Sequence, residues 1–417
     1  MILRRGFRYR LYPTPEQVLR LNQWGGACRF LWNLAQAQRL QAMGRPKDER
    51  KYHTAFDQIN ELTDLRAEVE WIADVPRNVL TQVLVELDRA WQRCFKGLGK
   101  RPLFKRKGRN QAPLIEPHSK LFRVQGESVV FPKLGAIPAV IHRAIEGKAK
   151  TCAIVRDGDA WFACIACEVE LPEPTPSTKP AVAIDLGVVN LIADSNGRTV
   201  PNPRPFEQNR RRLARGQRKV ARRKKGSKNQ HKARTKVARL QRKVRRQRDH
   251  ILHVESNHYA KNHGTVIVEA LKVRSMTRSA KGTPEEPGTN VVQKAGLNRT
   301  ILDGGWSRFV NFVRYKVLPE GGSVVEVPAA YSSQTCAVCG VIDEASRRSQ
   351  SKFECVVCGH KDHADTNAAK VLLSRGSHGG AGCGGSAVGR PAKQQLRVVR
   401  RGTRSNVEAK ASAFRPG

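Results

Sequence analysis

The stretch Ala181-Val-Ala-Ile-Asp-Leu-Gly187 sets a carboxylate at the end of an apolar strand, with a glycine two residues beyond it. Burying such an acid without a partner is costly, so a metal ion or a hydrogen-bond network is expected at Asp185. The run continues as AVAIDLGVVNLIADSNGRTV (181–200), two apolar strands and a third begun after an Asn-Gly turn at 196 and 197. Further on, GTVIVEAL (264–271) is a glycine-bounded apolar run suited to a buried strand, and Glu269 follows Val266, Ile267 and Val268 in it. Asp365 opens the helix pattern DTNAAKVLL, where Ala368 and Ala369 are small enough for close packing on a sheet. Three such acids suit magnesium, which takes hard oxygen ligands from a few carboxylates and leaves the remainder to water or phosphate. Each has a plainer reading as a helix cap or a satisfied lone carboxylate. Asp194, Glu255 and Asp362 compete with them, and Asp362 is the main rival of Asp365.

Between the second and third acids lies a cysteine cluster. Cys336-Ala-Val-Cys339 and Cys355-Val-Val-Cys358 are two tight pairs, each followed by a glycine, Gly340 and Gly359. Two such pairs can close a tetrahedron of thiolates on one zinc ion, and with all four positions filled by protein the site is structural. Cys164-Ile-Ala-Cys167 falls in a strand pattern where the two side chains point to opposite faces, so it is read as strand core.

Charge decides the partner class. The 417 residues carry 76 Lys and Arg against 36 acids, a net +40 that opposes compaction unless a polyanion neutralises it. The density peaks at 209–248, which holds 20 Lys or Arg and no acid, in two helical patterns broken at Lys225-Gly-Ser227. Arg211, Arg215, Arg222, Lys225, Lys232, Arg239 and Arg245 are the candidate nucleic-acid contacts there. Before this, LRRGFRYRL (3–11) reads as a half-exposed strand and Thr14-Pro-Glu-Gln17 as a helix start. Helical patterns follow to about 98, short alternating strands run from about 113 to 170, and a proline-rich linker carries a boundary near 177. A polar loop is expected over 275–300 and an amphipathic helix around Trp306. No apolar run is long enough to span a bilayer, no apolar segment follows the charged start, and the two tight cysteine pairs suit metal in a reducing compartment, so a cytoplasmic protein acting at the nucleoid is expected.

The order IDLG, basic helical pair, VIVEALKV, GGW, SSQTCAVCG, CVVCGH, ADTNAA resembles the TnpB family, proteins of bacterial insertion sequences related to compact type V CRISPR effectors. RLYPTPEQ, CRFLWN and VELDRAWQRCFKG near the start match it too, so the resemblance covers most of the chain. It implies a multidomain α/β plus β fold. A β-barrel-like wedge domain would comprise 1–12 and 113–176, with a helical recognition domain at 13–112. An RNase H-like (RuvC) nuclease domain would run over 178–335 and 359–375, interrupted by a zinc ribbon at 336–358, and 376–417 would be a weakly ordered basic tail. It further implies that Asp185, Glu269 and Asp365 are the magnesium-binding nuclease acids. Cys336, Cys339, Cys355 and Cys358 would bind zinc, and Arg77, Thr81 and Gln82, where the recognition helix begins, would read a short target-adjacent motif.

The implied activity is RNA-guided cleavage of double-stranded DNA by a monomer holding a guide RNA transcribed from the element's end. Base pairing would read the sequence, while the protein reads duplex shape and the short motif. A compact CRISPR effector of the same chemistry, or an RNA-guided binder that does not cut, are the alternatives. A transposase proper would need a His-hydrophobe-His pair beside a nucleophilic tyrosine, and none is seen.

Overall fold

The structure, a computed structural model, describes residues 1–49, 52–108 and 112–378. It begins with β1 (Ile2–Leu11), whose alternation buries Phe7, Tyr9 and Leu11 and leaves Arg8 exposed. Helices α1 (Pro15–Gly44), α2 (Ala55–Glu68), α3 (Glu70–Ala73) and α4 (Arg77–Phe95) follow. Thr14 opens α1 with a capping box: its hydroxyl accepts from the Gln17 amide, and its own amide donates to the Gln17 side chain.

Strands β2 (Leu114–Glu116), β3 (Arg123–Gln125), β4 (Ser128–Phe131), β5 (Gly135–Val140), β6 (Lys148–Asp157) and β7 (Ala160–Glu170) return the chain to β1. β1 pairs antiparallel with β7 from Ile2↔Glu170 to Leu11↔Trp161, at the centre of a sheet ordered β2-β6-β7-β1-β5-β4-β3. The barrel-like closure implied by the sequence is not made by hydrogen bonds: β2 and β3 stand at opposite ends of this order, and β1 meets β5 at only Arg10↔Val140 and Leu11↔Ala139. Sheet and helices bury one common core, in which Phe7 and Tyr9 of β1 join Trp24 and Trp32 of α1, Leu84 and Trp91 of α4, and Ile154 and Ile165. Cys164 and Cys167 both lie in β7, with Cys167 in that core.

The second part contains β8 (Ala181–Asp185), β9 (Asn190–Asp194), β10 (Thr199–Pro201), α5 (Pro205–Arg222), α6 (Lys228–Asn262), β11 (Thr265–Glu269), α7 (Val273–Met276), α8 (Val291–Gly304), α9 (Trp306–Val317), β12 (Ser323–Val327), β13 (Lys352–Glu354), β14 (Lys361–His363) and α10 (Ala364–His378). Its sheet, β10-β9-β8-β11-β12, is antiparallel from β10 to β8 and parallel from β8 to β12. Neighbouring residues of the inner strands face opposite layers. Val182, Ile184, Val266 and Val268 pack with Leu252 and Tyr259 of α6 and with Phe309 and Val313 of α9. Ala183 and Ile267 pack with Leu372 of α10. Burial on both faces explains why these strands are unbroken apolar runs.

Two expectations are corrected. The loop placed over 275–300 is helical from Val291, and the reason it was missed is physical: Val292 and Leu297 face solvent, and α8 buries only Ile301, Asp303 and Gly304. The tail does not begin at 376, because α10 continues to His378, and a Cβ on Gly376 would lie 2.5 Å from Ile267 Cδ1. The rest of the expected tail lies outside the described residues. Among them, no helix is long and apolar enough to cross a membrane.

Candidate nuclease and metal sites

Asp185 ends β8 and Glu269 ends β11. These are parallel neighbours with Ile184 opposite Val268, so the two carboxylates emerge at one edge of the sheet. Asp365 stands in the first turn of α10, which packs across β8 and β9. All three line one cavity of about 350 Å³, together with Ser332, Arg347 and Gln350. Ser332 donates to Glu269 Oε1 at 2.8 Å, Asn190 donates to Asp365 Oδ2 at 3.1 Å, and the Arg347 guanidinium lies 3.7 Å from Asp365 Oδ1. Tyr331, immediately before Ser332, holds a left-handed backbone at φ +61, a conformation that costs energy outside glycine.

Burial, reinforced by Glu269 and Asp365, pushes the Asp185 carboxyl up to about 8 against the opposing charge of Arg347. Burial also raises Glu269, opposed by the Ser332 hydroxyl and Arg375. A carboxyl raised this far binds its proton more tightly folded than unfolded between about pH 4 and pH 8, so folded stability falls as pH rises through that window. Asp185→Asn, which carries no charge to desolvate, should therefore raise the Tm of protein free of divalent cations by several degrees at pH 8 and by much less at pH 5. Calorimetry in chelator at the two pH values checks this, and an equal effect at both would count against it. Three carboxylates lining one cavity, answered by Arg347 and Arg375, offer hard oxygens of the kind a divalent cation such as magnesium takes, though their oxygens stand farther apart than the four cysteine sulfurs do.

The rival acids are otherwise engaged. Asp362, on β14, accepts from Lys370 Nζ at 2.7 Å. Asp194 accepts from the Tyr259 hydroxyl at 2.9 Å and from the Asn196 and Arg198 amides, and Glu255 pairs with Arg198 at 2.7 Å. Sequence reasoning missed Asn190, Ser332, Arg347 and Gln350. Arg347 sits in the loop between the two cysteine pairs, and no spacing ties it to the acids.

The four cysteine sulfurs all lie within 4.8 Å of one another, with Cys336 and Cys355 buried and Cys339 and Cys358 exposed. Among the described residues this is the one group of three or more Cys, His, Asp or Glu whose ligand atoms come so close. Gly340 (φ +75) and Gly359 (φ +70) turn the chain after each pair, and their amides donate to the Cys336 and Cys355 carbonyls. The Val338 amide approaches Cys336 Sγ at 3.4 Å and the Cys358 amide approaches Cys355 Sγ at 3.5 Å. Amides of Cys358 and Val357 draw the Cys355 thiol down to about 6, so thiolate is available at neutral pH. Four converging sulfurs with amide donors behind them fit tetrahedral zinc.

The predicted nucleic-acid residues do not share one surface. Arg215, Lys232 and Arg239 line a groove of about 650 Å³ between α5 and α6. The two helices come close there, since a Cβ on Gly216 would stand 2.9 Å from Val237 Cγ2. Arg211, Arg222 and Lys225 are exposed on the same hairpin outside the groove. Arg239 and Arg245 are already paired, with Asp159 and Asp157 of the β6–β7 turn. Arg77 donates to Thr63 and Gln82 to Glu86, while Thr81 is half-buried on α4.

Residues 164–280 match the IS605 OrfB family model, described as a probable transposase; 306–372 match one described as a Cas12f1-like TNB domain, and 1–47 one described as a helix-turn-helix domain. That last segment here is one strand and one 30-residue helix. The chain is 35% identical over 392 residues to the "Putative RNA-guided DNA endonuclease InsQ" of Escherichia coli, covering 93% of this chain and 96% of that one. A "Putative RNA-guided DNA endonuclease" of Streptomyces pristinaespiralis is 28% identical over 402 residues, 95% of each chain. A Cas12f1 CRISPR-associated endodeoxyribonuclease of Sulfoacidibacillus thermotolerans is 40% identical over 58 residues, 14% of each chain. Among solved structures, a Cas12f1–sgRNA–target DNA complex aligns with TM-score 0.47 at 15% identity, over 89% of this chain and 98% of that one.

Proposed function

The chain belongs to the TnpB family of insertion-sequence proteins, the family of InsQ, and on that premise we propose that it is an RNA-guided DNA endonuclease with Asp185, Glu269 and Asp365 as its cutting site. The observation that carries this reading is the convergence of three acids, far apart in sequence, on one cavity beside Arg347. In this reading the part from β8 to α10 is the RNase H-like nuclease, interrupted by the zinc ribbon. The β1-centred sheet is the wedge and α1 to α4 are the recognition helices. The protein acts as a monomer on double-stranded DNA, holding a guide RNA transcribed from the element's end.

Asp185, Glu269 and Asp365 are the residues that would hold magnesium. The bound ion supplies an activated water and charge stabilisation at the phosphodiester. The protein's own contribution is orientation. Ser332 fixes the Glu269 carboxylate and Asn190 fixes that of Asp365. Arg347 brings a permanent positive charge to the cavity, suited to a phosphate oxygen once the carboxylates are neutralised. Arg215 and Lys232 supply phosphate contacts that need no base identity.

The test is co-expression with the transcript of the element's end, followed by challenge with a plasmid carrying the matched target. Linearised plasmid in magnesium, absent in chelator and absent with an unmatched target, is the expected result. Binding of the matched target without any cutting in magnesium would favour the non-cutting reading. Within the site, Asp365→Asn should abolish cutting, whereas Asp362→Asn should keep it within about tenfold, since Asp362 answers Lys370 rather than the cavity. Equal loss in both, with both variants folded, would overturn the choice of Asp365.

A further inference from the structure

Six guanidinium groups crowd the seam between the β1-centred sheet and the nuclease part: Arg8 and Arg10 of β1, and Arg239, Arg242, Arg245 and Arg246 of α6. Arg8, Arg10 and Arg246 converge on the ring of Phe162, at 4.0, 5.3 and 5.6 Å from its centroid. Like charges packed this closely repel unless an anion stands among them. Burial and the neighbouring Arg242, Arg8 and Arg10 hold Arg246 below its ordinary pKa, the electrostatic mark of that crowding.

Two carboxylates answer the cluster, both from the turn between β6 and β7. Asp157 pairs with Arg8 at 3.3 Å and with Arg245, and its carbonyl accepts from Arg242. Asp159 pairs with Arg239 at 2.7 Å and Arg242 at 2.9 Å. Although burial opposes it, hydrogen bonds from Arg239 and Arg242 hold the Asp159 carboxyl below its usual range, so it stays ionised. Gly158 between them adopts φ +67, and a Cβ there would come within 3.2 Å of Ala238 Cβ, so the turn is pressed onto the helix. A carboxylate between guanidinium forks offers the charge and acceptor geometry of a phosphodiester.

We propose that the Asp157-Gly158-Asp159 turn is a built-in surrogate for RNA phosphates, occupying the arginine face of α6 until the backbone of a guide RNA competes for it. The inference rests on the reading that this chain binds a guide RNA. The geometry makes the exchange feasible, because Arg239 and Arg245 are 59% and 44% exposed and open ion pairs are individually weak and salt-screened. Arg10 and Arg246 form no ion pair among the described residues, so they stand ready for the first phosphates. RNA would then take over from the turn the work of neutralising the seam, and would bridge β1 and α6 itself.

The experiment measures binding of the protein to the transcript of its own element's end across a salt series, with an unrelated RNA alongside. Wild type is compared with Asp157→Asn/Asp159→Asn, Asp159→Asn alone, and Arg10→Gln/Arg246→Gln. The double Asn variant should bind several-fold more tightly with a steeper salt dependence, about 0.7 in log–log slope for each additional phosphate neutralised on single-stranded RNA. Asp159→Asn alone should lie between it and wild type, and the Gln pair should bind more weakly with a shallower slope. Equal or weaker binding by both Asn variants, with wild-type circular dichroism and a single cooperative thermal transition showing that they fold, would overturn the surrogate while leaving the function intact. No preference of wild type for its own transcript would overturn the function and this inference together.

Discussion

Asp185→Ala, loaded with guide RNA, is expected to bind its matched target as wild type does and to cut it at least about a thousandfold more slowly. The size follows from the position. Asp185 lines the cavity at the end of β8, where burial and the charges of Glu269 and Asp365 raise its carboxyl. Losing one carboxylate ligand removes several kcal/mol of charge stabilisation from the transition state, and about 4 kcal/mol is a thousandfold in rate. In the proposed function, binding is carried elsewhere, by the basic hairpin of α5 and α6 and by the first sheet. Single-turnover cleavage beside an electrophoretic binding assay separates the two effects. Loss of cleavage in proportion to loss of binding would mean that Asp185 supports the fold rather than the chemistry.

The second large effect is expected from the cysteines. Cys355→Ser should reduce bound zinc from one per chain to a small fraction and abolish cleavage, even though the cluster holds no cutting residue. Structural zinc in small domains contributes roughly 10–16 kcal/mol of apparent binding energy, comparable to or larger than the whole stability of a typical domain. The small ribbon core, Cys336, Phe353, Cys355 and Ala364, has little else to hold it. It is also wired to α10: the Ala337 amide donates to Asn367 Oδ1 at 3.0 Å, and Asn367 donates to the Thr335 carbonyl at 2.8 Å. Asp365 lies one helical residue beyond Ala364. Unfolding the ribbon therefore loosens the third acid and carries Arg347 away with it. Metal analysis by mass spectrometry together with cleavage of the matched plasmid checks both halves. Full cleavage from a zinc-free variant would refute the coupling.

Legibility in the sequence followed the physics of each feature. The inner strands could be read because both faces are buried, which makes Val182 to Ile184 and Val266 to Val268 unbroken apolar runs. The four cysteines could be read as one cluster because two tight pairs, each followed by a glycine, imply converging thiolates, and their sulfurs lie within 4.8 Å of one another. Asp365 could not be separated from Asp362 by pattern alone. The two stand three residues apart, and only the change from β14 to α10 between them turns one toward Lys370 and the other toward the cavity. Helix α8 was hidden because Val292, Leu297 and Leu302 face solvent and Ile301 alone of its large apolar side chains is buried. The arginines of α6 announced a polyanion, yet nothing local said that Arg239 and Arg245 are already paired, for Asp157 and Asp159 lie 80 or more residues away in sequence.

RNA-guided cutting by the three acids is tested most sharply by a cleavage reaction on a plasmid library carrying one matched target beside randomised flanking bases. The purified RNA-loaded protein is used in magnesium, with the cut ends sequenced. The expected ends map to the matched target, with flanks enriched for one short motif and no products in chelator or with Asp185→Ala. Cutting that ignores the match between guide and target, or that survives the loss of Asp185, would show that these acids do not perform guided cleavage.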